Sequence, residues 1–254
     1  MSSRVQDLVR AVLVDLGDTL VHLDRPWVDV FLTNLEALHK YFTSLGIKID
    51  VKKFNDRFVS LFNDASYRAD LLKVEVPMEE IISKSLRKSG LQVLGVDLPT
   101  NATIEFYRPE VESWQLYADS IETLTKLSKN GYVLGLISNA KSDWAVREIL
   151  RRRGLDVFFN TIVSSAALKI RKPRFEIFRR ALTDLDVKPS DAVFIGDSIQ
   201  ADVGGAKSMG MYAIHVLRKP VDPTSLSRPD ATVTNLSETL EIIAKWNNGS
   251  KGNR

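Results

Sequence analysis

The sequence feature that most constrains the fold is a run of four apolar residues, Ala11-Val12-Leu13-Val14, followed at once by Asp15. A continuous apolar run of this length predicts a strand buried on both faces, as in a parallel sheet. Open α/β sheets bind their ligands at the carboxyl ends of such strands. A carboxylate there is costly unless it is paired, binds a metal or takes part in chemistry. On this stretch alone, a turn-capping role for Asp15 is an equally good interpretation.

The composition excludes several classes of protein. The chain has 254 residues, 44% of them hydrophobic and 26% charged, which is enough for one large α/β domain with an insertion. The net charge of +3 is too small to indicate a nucleic-acid partner. Without cysteine there are no disulfides, thiolate metal sites or cysteine nucleophile. No apolar run approaches membrane-spanning length and no signal-peptide core is evident, so we expect a cytoplasmic protein without a membrane partner.

The segment 23–112 shows helical spacing of apolar residues and no convincing strand. Helical patterns lie at 27–42, 54–62, 81–86 and just before Pro109, with a loop-like stretch at 91–100. Such patterns are typical of amphipathic helices. We therefore expect an all-helical domain at 23–112, inserted into a second domain formed by residues 1–22 and 113–254.

The rest of the chain alternates between strand and helix. Strand patterns at 132–137, 161–163, 192–195, 212–216 and 231–233 alternate with helical patterns at 120–131, 144–150, 175–185, 203–209 and 236–246. Asp119 with Glu122 is typical of a helix start, and 247–254 reads as a disordered tail. The alternation predicts an α/β fold with a doubly wound, Rossmann-like parallel sheet.

Polar side chains follow three of the predicted strands. Asp15, the Ser138-Asn139 pair and Asp197 all lie at strand ends, and Lys172 lies in a loop before a helix. The carboxyl ends of parallel strands meet at one edge of the sheet, so we expect these groups to converge. Two carboxylates would hold Mg²⁺ through hard oxygen ligands. The Ser138 hydroxyl and the Lys172 ammonium would receive phosphate oxygens.

The order of these motifs resembles that of the haloacid dehalogenase-like hydrolase superfamily. The matching pieces are residues 14–20, 136–139, 171–173 with Phe178 after them, and 194–211. The helical segment 23–112 resembles the cap domain that this family places after its first strand. The resemblance therefore implies a Rossmann-like catalytic core with an inserted helical cap.

The resemblance also implies roles for individual residues. Asp15 would be the nucleophile and would form an aspartyl-phosphate, and Thr19 would orient its loop. Ser138 and Asn139 would hold the transferring phosphoryl group. Lys172 would neutralise both the nucleophile and the phosphate. The implied substrate is a small phosphorylated metabolite, and the chain would act as a monomer or a homodimer.

The implied cofactor is Mg²⁺. Its ligands would be Asp15, the backbone carbonyl of Gly17 and Asp197, with Asp202 as a further ligand or a supporting acid. Phosphoryl transfer needs mostly positioning and charge stabilisation, which a metal ion and a lysine can supply.

The sequence departs from the family pattern at Gly17. Family phosphatases usually carry a second Asp there, which protonates the leaving group and later activates water. Losing a general acid typically costs about 10²–10⁴ in rate. Three interpretations stay open. The first is a phosphatase whose leaving group needs little protonation, or whose proton comes from Asp18, a cap residue or water. The second is a 2-haloacid dehalogenase, since halide needs no acid, and the third is a weakly active protein that binds a phosphometabolite. The phosphatase fits the metal-binding acid at 197 better than the dehalogenase does.

Overall fold

The computed structural model describes residues 8–90, 97–218 and 226–251. The β-strands are β1 Ala11–Val14, β2 Val21–Leu23, β3 Trp114–Leu116, β4 Val133–Ser138, β5 Thr161–Ser164, β6 Ala192–Gly196, β7 Tyr212–Val216 and β8 Ala231–Val233. The α-helices are α1 Trp27–Ser44, α2 Val51–Leu72, α3 Met78–Lys88, α4 Asp97–Ser113, α5 Ser120–Lys129, α6 Asp143–Arg152, α7 Ser165–Leu168, α8 Phe175–Leu185, α9 Gly204–Ser208 and α10 Glu238–Lys251.

Within these residues a six-stranded parallel sheet has the order β5-β4-β1-β6-β7-β8. The first strand lies in the interior of the sheet, and Val14 pairs with Leu136 on one side and Ile195 on the other. Val12 and Val14 pack into the apolar cluster on one face of the sheet, whereas Leu13 belongs to the cluster on the other face. Helices cover both faces, which confirms the predicted α/β, doubly wound fold.

Helices α1 to α4 form the helical insertion between β2 and β3. Its interior is aromatic: the ring centroids of Phe42 and Phe54 are 5.6 Å apart, and those of Phe58 and Phe106 are 5.5 Å apart. All four phenylalanines are fully buried. The aromatic repeats in the sequence therefore belong to the packing of the insertion.

Two short strands that the sequence did not predict join the ends of the helical insertion. β2 and β3 pair in antiparallel fashion, with Val21 opposite Leu116 and Leu23 opposite Trp114. Strands of three residues are too short to show an alternating pattern, so only the tertiary pairing defines them.

The predicted loop at 91–100 and the short helix before Pro109 are partly wrong. Residues 97–100 begin α4, which continues through Pro109 to Ser113, while 91–96 lie outside the described residues. Proline removes one helical hydrogen bond, but Phe106 and Val111 on either side of it are buried. Packing of this face against the other helices outweighs the local preference of proline.

Partners distant in sequence act at the termini of two helices. α5 begins at Ser120, directly after Asp119, as predicted. The Asp119 side chain does not cap it, however, and instead accepts hydrogen bonds from the Leu236 amide at 2.6 Å and from Arg218 at 3.0 Å. The expected tail from 247 is helical as far as 251, since Asn247 exchanges hydrogen bonds with the Val9 backbone. Both differences arise from partners distant in sequence.

Candidate active site

Asp15 lies immediately beyond β1, where the strand order places β4 and β6 on opposite sides. Its amide donates a hydrogen bond to the carbonyl of Ile195 at 2.9 Å, which holds the residue at the end of the sheet. Ser138 ends β4 and Asp197 directly follows β6. The parallel register thus brings these three predicted site residues to one edge of the sheet.

A tight turn after Asp15 keeps its carboxylate in place. Asp18 adopts a left-handed backbone conformation with φ 54°, and its amide donates to the carbonyl of Val21 at 2.7 Å. Aspartate and asparagine tolerate this conformation better than most residues. The buried Thr19 hydroxyl lies 3.5 Å from Oδ2 of Asp15. That Thr19 orients the loop stays a prediction.

Lys172 is buried among three acceptors at the edge of the sheet. Its Nζ lies 2.5 Å from Oδ1 of Asp15 and 2.7 Å from Oδ1 of Asp202, and it donates to the carbonyl of Ile137 at 2.8 Å. Only 3% of the residue is exposed. The ammonium therefore has a fixed position between two carboxylates.

Asn139 holds the loop that carries Lys172. The Lys172 amide donates to Oδ1 of Asn139 at 2.9 Å, and Nδ2 of Asn139 donates to the Lys172 carbonyl at 3.1 Å. The side-chain amide is thus engaged with the backbone of the lysine. Contacts of Ser138 and Asn139 with a phosphoryl group stay predictions.

Three carboxylates surround the same point. Oxygen atoms of Asp15, Asp197 and Asp202 lie within 4.8 Å of one another. Oδ2 of Asp202 also accepts a hydrogen bond from the Ser198 amide at 2.9 Å. A side chain at Gly196 would overlap the Asp202 carboxylate, so glycine is required at this position.

Burial shapes the protonation of this group. Burial raises the pKa of Asp15 to about 6, against the opposing effect of Lys172, and raises the pKa of Asp197 to about 7, assisted by repulsion from Asp15 and Asp202. Burial acts to lower the pKa of Lys172, but the attraction of Asp15 and Asp202 raises it overall. The cluster therefore has three carboxylates and only one ammonium to offset their charge.

The residues present fit a divalent cation. Hard oxygen ligands on converging carboxylates are what Mg²⁺ prefers, and repulsion from Asp15 and Asp202 adds to burial in raising the pKa of Asp197. Asp15 and Asp197 have oxygen atoms close enough to share one ion. Asp202 already pairs with Lys172 and the Ser198 amide, so it suits a supporting position.

The carboxylates open into a cavity of about 460 Å³. The sheet edge forms its floor, and the helical insertion and its junction with β3 contribute the wall residues Asp70, Lys73, Tyr107, Glu110 and Trp114. None of these residues had a sequence motif that marked it. They reach the cavity only because the helices fold over the edge of the sheet.

A further buried acid, Glu75, lies beside the cavity. It is 2% exposed, and its carboxylate lies 3.1 Å from Nζ of Lys141 and 3.5 Å from Nε of Arg171. The Ser165 hydroxyl donates to it at 2.8 Å. Lys141 and Arg171 both line the cavity. The sequence signal for these two cations was their position next to the motifs at 138–139 and 172.

Comparisons with known proteins identify the family to which the chain belongs. The model of the haloacid dehalogenase-like hydrolase family matches residues 9–210, and the chain therefore belongs to that family and is a hydrolase. The glyceraldehyde 3-phosphate phosphatase of Methanopyrus kandleri is 29% identical over 248 residues, which cover 93% of this chain and 97% of the relative.

Solved structures are similar over nearly the whole chain. A haloacid dehalogenase-like phosphatase from Thermococcus onnurineus superimposes with a TM-score of 0.63 at 25% identity, covering 92% of this chain and 98% of its own. A 2-haloacid dehalogenase from Pseudomonas syringae gives a TM-score of 0.67 at 24% identity, covering 94% and 100%. The fold is common to phosphatases and dehalogenases, so the site has to distinguish them. None of the helices described is both long and apolar enough to cross a bilayer.

Proposed function

We propose that this protein is a Mg²⁺-dependent phosphohydrolase that acts on a small phosphorylated metabolite through an aspartyl-phosphate on Asp15. The observation that carries the proposal is the ammonium of Lys172, fixed 2.5 Å from the Asp15 carboxylate beside two further acids. An anionic nucleophile can approach an anionic phosphate only if positive charge offsets their repulsion. The relatives named as phosphatases point to the same chemistry.

Each residue has a distinct task in this proposal. Asp15 attacks phosphorus through a carboxylate oxygen, and Thr19 restricts its rotation. Lys172 stabilises the negative charge on both the nucleophile and the transferring group. Asp202 holds the ammonium in that position, which makes it a positioning residue. Ser138 donates its hydroxyl to a phosphoryl oxygen at the edge of the sheet.

The carboxylates Asp15 and Asp197, with the backbone carbonyl of Gly17, would hold the Mg²⁺. When bound, the ion supplies positive charge against the negative charge of the phosphoryl oxygens. Asp202 would support this site through Lys172. The raised pKa of Asp197 is a further reason to expect a cation, because a bound ion would stabilise the ionised carboxylate.

We also propose that the helical insertion, with the boundaries 23–112, acts as the cap of the site. Its residues Lys73, Tyr107 and Glu110 line the same cavity as Asp15. A volume of about 460 Å³ suits a small metabolite rather than a polymer. The cap would therefore bind the part of the substrate that carries no phosphate.

A 2-haloacid dehalogenase is the second candidate, because Gly17 leaves the position of the second acid empty and halide needs no proton. Against it, Asp197 adds a third carboxylate to the site, for which halide release has no evident use. Chloride release from 2-chloropropionate distinguishes the two candidates directly.

The decisive experiment measures p-nitrophenyl phosphate hydrolysis with Mg²⁺ or with EDTA. We expect Mg²⁺-dependent turnover, and a loss of about 10⁴-fold or more in Asp15→Asn, since an amide cannot act as the nucleophile. Exposed Asp24→Asn, outside the cavity, is the matched control and should retain activity. Turnover that survives in Asp15→Asn, or chloride release without phosphate release, would refute the proposal.

A further inference from the structure

The space beside Gly17 is occupied by an indole ring. A Cβ atom added to Gly17 would lie 3.3 Å from Cη2 and 3.7 Å from Cζ3 of Trp114. Trp114 comes from β3, at the end of the helical insertion. A side chain at position 17 would therefore press on this ring, which would have to move.

Another carboxyl group accompanies this ring. Glu110 lies four residues before Trp114, near the end of α4, and both line the cavity that Asp15 faces. Oε2 of Glu110 accepts a hydrogen bond from Nδ2 of the buried Asn34 at 2.9 Å. The residue is half-buried and lines the cavity. Asn34 thus anchors one oxygen of a carboxyl group that still reaches the cavity.

The surroundings of Glu110 favour its protonated form. Burial raises the pKa of this carboxyl group, and the hydrogen bond from Asn34 only partly opposes the shift. Tyr107, one turn earlier on α4, presents a buried phenol whose own pKa is raised by burial and by the nearby Glu110. Nε1 of Trp114 has no hydrogen-bond partner of good geometry, but the indole is close enough to act on the Glu110 carboxyl group.

We propose that Glu110 is the general acid and base of the phosphohydrolase, supplied from the helical insertion in place of a carboxyl group at position 17. This inference rests on the proposed function. It assigns the step that Gly17 cannot perform to the wall of the cavity that faces it.

The proposed step conserves protons over the cycle. As the Asp15 oxygen bonds to phosphorus, the bond from phosphorus to the leaving oxygen breaks, and that oxygen takes the proton of Glu110. The resulting carboxylate then accepts a proton from the water that attacks the aspartyl-phosphate. Inorganic phosphate leaves, and Asp15 and protonated Glu110 are restored.

The test compares two aryl phosphates of similar shape, p-nitrophenyl phosphate and phenyl phosphate, in Glu110→Gln. Phenolate is much the more basic leaving group, so its departure depends on a proton donor. We expect kcat/KM for phenyl phosphate to fall by about 10²–10⁴ while that for p-nitrophenyl phosphate changes only severalfold. Glu112→Gln, two residues further on and paired with Arg152 at the surface, is the matched control and should change neither value.

Each other outcome overturns the inference. Equal losses on both substrates would indicate that Glu110 only supports the packing of Asn34, and unchanged values on both would exclude it from the reaction. Wild-type protein that hydrolyses p-nitrophenyl phosphate but not phenyl phosphate would show that no acid is present. No hydrolysis of p-nitrophenyl phosphate by the wild type would instead refute the proposed function itself.

Discussion

Two clusters of charged side chains lie at the cavity, and their excess charges have opposite signs. The first group sets three carboxylates, those of Asp15, Asp197 and Asp202, around the single ammonium of Lys172. The second sets one carboxylate, Glu75, between the cations of Lys141 and Arg171. In the first, negative charge is in excess, whereas in the second the excess is positive.

The difference between the two groups indicates what each can bind. Buried charge is costly unless it is compensated, so an excess of one sign favours a ligand of the other. The cluster of three carboxylates around Lys172 suits a cation, and the cluster around Glu75 suits an anionic part of the substrate. Asp70 is too exposed to alter this balance, since its side chain is 74% exposed and lies 3.7 Å from Arg171.

The largest loss of stability is expected when the Lys172 ammonium is removed from between the carboxylates. Lys172→Met leaves Asp15 and Asp202 buried without a counter-charge, and the cost should be about 3–5 kcal/mol of unfolding free energy. Urea denaturation without metal measures it. Lys169→Met, which breaks only a solvent-exposed pair with Glu80, should cost far less. Equal losses of unfolding free energy in the two variants would show that the Lys172 ammonium does not stabilise the buried carboxylates.

A smaller loss is expected from a change of shape alone. Gly196→Ala places a methyl group against the Asp202 carboxylate, which must move away from Lys172 or from the Ser198 amide. Overpacking of this kind should cost about 3 kcal/mol, with lower kcat. Gly90→Ala, which has open space around it but a positive φ of 78°, is the control for glycine replacement as such. A fully active and stable Gly196→Ala would contradict the described position of Asp202.

The smallest effect is expected in the second group. Glu75→Gln keeps the shape but removes the charge between Lys141 and Arg171, which are partly exposed and can be hydrated. We expect about 1–2 kcal/mol of destabilisation and tighter competitive inhibition by inorganic phosphate, because the excess of positive charge increases. Inhibition constants at two salt concentrations check the second part. Weaker inhibition by phosphate would show that the group does not act on anions.

The sequence predicted the floor of the site better than its wall. Asp15, Lys172 and Asp197 lie in motifs whose order along an alternating chain implies one sheet edge, and the structure brings them together there. Glu110 and Glu75 carry no such mark, because helical spacing reveals the apolar face of a helix but not which polar residue faces a cavity.

The sequence by itself determined the parallel sheet, since a strand such as 11–14 with apolar residues at every position is stable only between other strands. It also determined which residues stand at the carboxyl ends. Only the tertiary structure decided that Trp114 would lie against Gly17 and that Glu110 would share the cavity of Asp15. The reason is physical: the strands and the residues at their ends follow from local patterns, whereas the position of the insertion over the sheet depends on contacts between residues about one hundred positions apart.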